Sequence, residues 1–102
     1  MIIIGIDPGL VNTGYGVISI KNESPSLIDF GIIAPNTKDS VPERIFTIFT
    51  DVCQLIEKYN PNIFSIEDVF YSRNFKSAML LGQARGAAIL AASKYKISIF
   101  EY

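Results

Sequence analysis

Histidine is absent from all 102 residues. That one gap removes Ser-His-Asp and Cys-His nucleophilic catalysis, histidine general bases and histidine metal ligands together. Any chemistry falls to carboxylates, lysine, tyrosine or a metal-activated water. A single cysteine, Cys53, excludes an internal disulfide and points to a reducing setting. Long apolar runs are also lacking. The start, Met1 to Ile4, is interrupted by Gly5 and Asp7, too soon for a secretory signal. The longest stretch, Ala87 to Ala92, falls far short of the roughly 20 residues that span a bilayer. The expectation is a soluble cytoplasmic protein with no membrane partner.

What is present is the composition of a folded domain, 49% apolar and 19% charged. One domain is expected at this length, with little core to spare. The net charge of −1 says little about partners, but its distribution says more. Residues 1–67 carry four basic and eight acidic side chains; residues 68–102 carry five basic and two acidic. An acidic first part beside a basic second part suits a metal-holding carboxylate site next to a nucleic-acid face, although chance asymmetry on a small domain explains the charges as well.

Periodicity predicts the order β-β-β-α-β-α-β. Ile2 to Asp7 is a β-branched run closed by Pro8-Gly9 and reads as a strand buried on both faces. Gly14 to Ile20 and Ser26 to Ala34 follow as strands separated by the polar turn Lys21 to Pro25, an antiparallel meander. Ser40 with Glu43 matches a helix capping box, and Pro42 suits the first turn. Ile45, Ile48, Phe49, Val52, Ile56 and Tyr59 recur at helical spacing until Asn60-Pro61-Asn62 stops them. Ile63 to Glu67 is a short strand. Asn74 caps a second helix running to about Tyr95, and Ile97 to Glu101 is the last strand. Strands joined by helical crossovers run parallel, so the fourth belongs beside the first and the fifth beside the fourth.

That placement makes two acids stand out. Asp7 closes the first strand and Glu67 the fourth, so both emerge at the carboxyl edge of the sheet, where open α/β sheets build their sites. Taken singly, each acid would be read as a turn or helix cap. As a pair on parallel neighbours, they favour a hard divalent cation, which takes oxygen ligands and can serve phosphodiester hydrolysis. Gly5, Gly9, Gly14 and Gly16 surround Asp7; Asp7-Pro8-Gly9 reads as a tight turn with a positive φ at glycine. Beyond Glu67, Phe70 could stack on an unpaired base, with Tyr71 the more structural of the two aromatics. Arg73, Asn74, Lys76 and Arg85 could reach phosphates, though each alone reads equally well as a solvated polar residue. Gly82 and Gly86 cost the second helix roughly 1 kcal/mol each, which close packing on the sheet or across a dimer would justify. Asp68 alternates to the other face and is not counted as a ligand.

The runs Gly5-Ile6-Asp7-Pro8-Gly9 and Thr13-Gly14-Tyr15-Gly16-Val17, then Ile66-Glu67-Asp68-Val69-Phe70, Leu81-Gly82-Gln83-Ala84-Arg85-Gly86 and Phe100-Glu101-Tyr102, stand in one order. Together they resemble the RuvC-type Holliday junction resolvases, over the whole length of the chain. The resemblance implies an α/β, ribonuclease H-like domain with a mixed five-stranded sheet. It implies a homodimeric Mg²⁺-dependent endodeoxyribonuclease, with Mn²⁺ as a substitute, acting on four-way junction DNA with the RuvA and RuvB branch-migration proteins. It places Asp7 and Glu67 on catalytic metal ligands and Phe70 on an aromatic that handles bases at the junction centre. It also implies a second pair of acids on a carboxyl-terminal helix, which these 102 residues do not contain. The domain is therefore expected to be shortened at its carboxyl end, and this chain alone to cleave junctions poorly or not at all. Two other classes stay open: a non-catalytic DNA-binding or dimerisation module, recognised by junction binding without cleavage, and an actin-like nucleotide-binding domain, recognised by stabilisation with ATP. A YqgF-type relative shares the first motif but fits the stretch from Glu67 to Gly86 less well.

Overall fold

β-Branched runs and two capped helical segments assemble into five strands with both helices on one side. The computed structural model describes residues 1–68 and 74–102. The order is β1 (Ile2–Asp7), β2 (Thr13–Lys21), β3 (Ser24–Ile33), α1 (Val41–Tyr59), β4 (Ile63–Ile66), α2 (Phe75–Lys94) and β5 (Ser98–Glu101). The sheet order is β3-β2-β1-β4-β5. β1 pairs antiparallel with β2 and parallel with β4, and β5 adds parallel to β4, as the crossover rule predicts.

Local chemistry sets the boundaries. The β2–β3 hairpin turns on Asn22 and Glu23, both at positive φ, the backbone that a two-residue hairpin requires. Pro25 is tolerated because β3 is an edge strand. Ser40 and Glu43 form the reciprocal capping box of α1, and Asn60 ends that helix in the left-handed region, its N–H donating to the Ile56 carbonyl. Asn74 caps α2 by accepting from the N–H groups of Lys76 and Ser77.

The core lies between the helices and one face of the sheet. Ile4, Ile6, Val17, Ile33, Phe64 and Ile66 meet Ile48, Val52 and Ile56 of α1 and Ala84, Ala88, Ala91 and Ala92 of α2. The alanines let α2 lie close to the sheet.

Three expectations need correction. β1 is not buried on both faces: Ile4 and Ile6 are sealed, whereas Ile3 and Gly5 alternate onto a face that no described helix covers. That open face exposes Leu27, Phe30, Ile32 and Phe100. Gly9 does not adopt a positive φ. Its need is steric, since a Cβ there would sit 2.1 Å from the Asn12 carbonyl oxygen. Of the two readings of Gly82 and Gly86, packing on the sheet is excluded, since a Cβ added at either would meet nothing within 4 Å, and packing across a dimer stays open.

Candidate metal and DNA site

The parallel ladder decides where the two acids go. Ile6 pairs with Ile66, and the Glu67 N–H donates to the Ile6 carbonyl oxygen at 3.1 Å, which brings Glu67 level with Asp7. Asp7 shares the face of Ile3 and Gly5, and Glu67 that of Ile63 and Ser65; register makes these the same, open face. Asp7 and Glu67 lie at its rim, Asp7 exposed to solvent.

The two carboxyl groups are near enough to hydrogen-bond. That contact, the negative charge of Asp7 and partial desolvation together hold the Glu67 carboxyl above the usual carboxylate range. Two like charges so placed repel once both are ionised. Beside Asp7 the open face is hollowed to about 330 Å³, with Gly5, Gly14 and Gly16 in its lining and Tyr102 at its border. Missing side chains at these glycines leave room for a polymer backbone to approach.

Two hard oxygen donors with unneutralised charge are a donor set that a divalent cation fits. Among the described residues no group of three or more acidic or sulfur ligands forms, so this pair would supply two of the ligands.

A test follows from the repulsion. Glu67 is more easily protonated in the folded chain than in the unfolded one. The stability this confers is fully present below the unfolded carboxylate value, about 4.3, and is lost as pH rises through the elevated folded value. Glu67→Gln should therefore melt at a higher temperature than the parent in EDTA at neutral pH, with the gain shrinking in acid. A lower melting temperature at neutral pH would show that the pair does not repel.

The other expected site residues are dispersed. Asn74 spends its side-chain oxygen on the α2 cap, and Lys76 is exposed in the first turn of that helix. Phe70 and Arg73 lie outside the described residues, as does Tyr71. Arg85 does not reach the Asp7–Glu67 pair from the open side. Its guanidinium sits on the helix-covered side, donating to Asp68 at 2.6 Å and to Glu101. Sequence reasoning missed this cluster. Its signal was there to find: Asp68 and Glu101 follow or end parallel neighbouring strands on the face opposite Glu67, and Arg85 stands on the helix between those strands.

The crossover junction endodeoxyribonuclease RuvC family model matches residues 3–102. The chain belongs to the RuvC family. It is 42% identical over 102 residues to the RuvC protein of Alkaliphilus oremlandii and 45% identical to that of Geobacter sp. strain M21. In each case all of this chain and 62% of the relative are covered, so the chain spans about three-fifths of the length of these curated relatives. RuvC from T. thermophilus, solved in complex with a Holliday junction substrate, superposes with a TM-score of 0.91 at 24% identity, covering all of this chain and 65% of that one. The mixed five-stranded sheet is thus the ribonuclease H-like fold of RuvC.

Proposed function

We propose that this protein is a structure-selective DNA endonuclease that resolves four-way junctions by divalent-metal-dependent phosphodiester hydrolysis, in recombination and repair. The observation that carries the reading is the Asp7–Glu67 pair, level on adjacent parallel strands and beside a glycine-lined hollow. Asp7 and Glu67 would hold Mg²⁺, with Mn²⁺ as a substitute. The ion would supply the charge that favours water attack and departure of the leaving oxygen. The carboxylates orient the site, and the hollow admits the sugar-phosphate backbone. Membership of the RuvC family and the likeness to a resolvase solved with its junction support the substrate class.

Around this centre we assign DNA contacts to Asn74 and Lys76, at the start of α2, and to Phe70 and Arg73 in the preceding stretch. Lys76 would contribute a salt-sensitive phosphate contact. Among the described residues no helix is long and apolar enough to cross a membrane, and we place the protein in the cytoplasm, acting with RuvA and RuvB.

We further propose a homodimer through the outward stripe of α2. Phe75, Met79, Gly82, Gly86 and Leu90 share that stripe, and its large apolar members Phe75, Met79 and Leu90 are exposed. Sedimentation should find the parent dimeric and Met79→Glu/Leu90→Glu monomeric; a parent that sediments as a monomer would rule the dimer out.

The direct test is cleavage of a synthetic four-way junction by the protein at its native length. Divalent-dependent paired nicks, with linear duplex spared, are expected. Junction binding without cleavage under any divalent ion would make it a binding module instead. The 102 residues alone are expected to cleave poorly, since two carboxylates position an ion loosely.

A further inference from the structure

Glu67 has a carboxylate on one face of the sheet and, one residue later, a second acid stands on the other. Asp68 points to the helix-covered side, where the end of β5 places Glu101 beside it. One sheet edge thus gathers four acids, Asp7 and Glu67 above, Asp68 and Glu101 below. Arg85 of α2 is the cation between the lower two. Its Nη2 donates to the Asp68 carboxylate at 2.6 Å and to the Glu101 carboxylate, and its Nε donates to the Glu67 carbonyl oxygen at 3.4 Å. The side chain is 20% exposed, so the guanidinium is largely withdrawn from solvent.

The Glu67 backbone is therefore held at both of its polar groups. Its N–H is tied to β1, the strand that carries Asp7, and its carbonyl to Arg85. The Tyr102 N–H donating to the Ile66 carbonyl at 3.1 Å closes the same edge from β5. We propose that Arg85 is a positioning residue for Glu67. It clamps the ends of β4 and β5 from the helix side, fixes the backbone from which the Glu67 carboxylate projects, and keeps Asp68 and Glu101 occupied so that they do not compete for the cation. The proposal rests on the metal-dependent nuclease reading of the Asp7–Glu67 pair. Only a planar fork reaches three oxygens on two strands, so lysine is a poor substitute. Displacing a ligand by about 1 Å costs on the order of 10²-fold in rate.

The experiment uses the protein at its native length with Arg85→Gln, Arg85→Lys and the double variant Asp68→Asn/Glu101→Gln. Three quantities are read: Mn²⁺ affinity by calorimetry without DNA, junction affinity and its salt dependence in EDTA, and the single-turnover cleavage rate. Arg85→Gln should weaken Mn²⁺ binding and slow cleavage by about 10²-fold, with junction affinity and salt slope unchanged. Arg85→Lys should recover little. Asp68→Asn/Glu101→Gln should reproduce much of the loss, and adding Arg85→Gln to it should cost little more, the non-additivity of groups acting as one unit. The double variant keeps the guanidinium, so it decides the matter if Arg85→Gln does not fold. The proposal is overturned if Arg85→Gln leaves Mn²⁺ affinity intact while weakening junction binding and lowering the salt slope by about one, the signature of a phosphate contact. It is equally overturned if the double variant behaves as the parent. A parent protein that binds no Mn²⁺ and cuts no junction would instead remove the nuclease reading itself, and would show this before any variant is made.

Discussion

Asp7→Asn is expected to abolish junction cleavage while leaving junction binding near parental. Asp7 closes β1 on the face of the sheet that no described helix covers, exposed and beside Glu67. The amide keeps the shape of the side chain and removes its charge, so the fold should be undisturbed. One of the two carboxylates available to a divalent ion is lost. Removal of one preorganised hydrogen-bond donor at a reacting centre typically lowers the rate about 10²- to 10³-fold, and loss of a charged direct ligand should reach at least that range. Under the proposed assignment, junction binding in EDTA would rest on basic and aromatic groups and should weaken little; it should tighten slightly if the acids repel phosphate. Single-turnover cleavage and a parallel binding titration separate the two effects. A variant that cuts at the parental rate would exclude Asp7 from the site. One that loses binding and cleavage together would place Asp7 in the DNA contact instead.

The largest loss of stability is expected from Phe64→Ala. Phe64 is fully buried within the sheet, between β1 and β5 and beneath the helices. Alanines of α2 stand nearby in the core, and small residues cannot swing in to fill a void. A buried phenylalanine reduced to alanine costs about 3–5 kcal/mol, from lost transfer energy and the residual cavity. Total stability of a domain this size is about 5–15 kcal/mol, so the variant should be marginal or unfolded at physiological temperature. Urea unfolding measures it: the midpoint should fall steeply with little change in slope. A loss below about 1 kcal/mol would mean that the core around β4 is loosely packed. Phe46→Ala, at a site that is 67% exposed, provides the contrast and should cost far less.

The secondary structure was legible because each element carries its own local instruction. The α1 capping box, the apolar stripe behind it and the Asn60 stop are short-range signals, and all appear in the fold. The crossover rule then placed β4 beside β1 and brought Asp7 and Glu67 to one edge. The corrections share a different origin. Whether Ile3 is covered, whether Gly82 and Gly86 meet a neighbour, and whether Gly9 needs a left-handed backbone all depend on atoms far away in the chain or on details of a turn. Alternation separated Asp68 from Glu67 correctly, yet Arg85 could be read from sequence only as one more basic residue near an acidic site.

The sequence by itself determined the strand and helix order, the parallel placement of β4 and hence the pair of carboxylates, since periodicity, caps and crossover handedness are local or nearly so. The tertiary structure alone decided that both described helices pack on one face, the other being covered by no described helix, that Asp7 makes the Glu67 carboxyl hold its proton more readily, and that Arg85 is bound between Asp68 and Glu101. Those outcomes depend on distances between residues far apart in the chain, and only packing sets them.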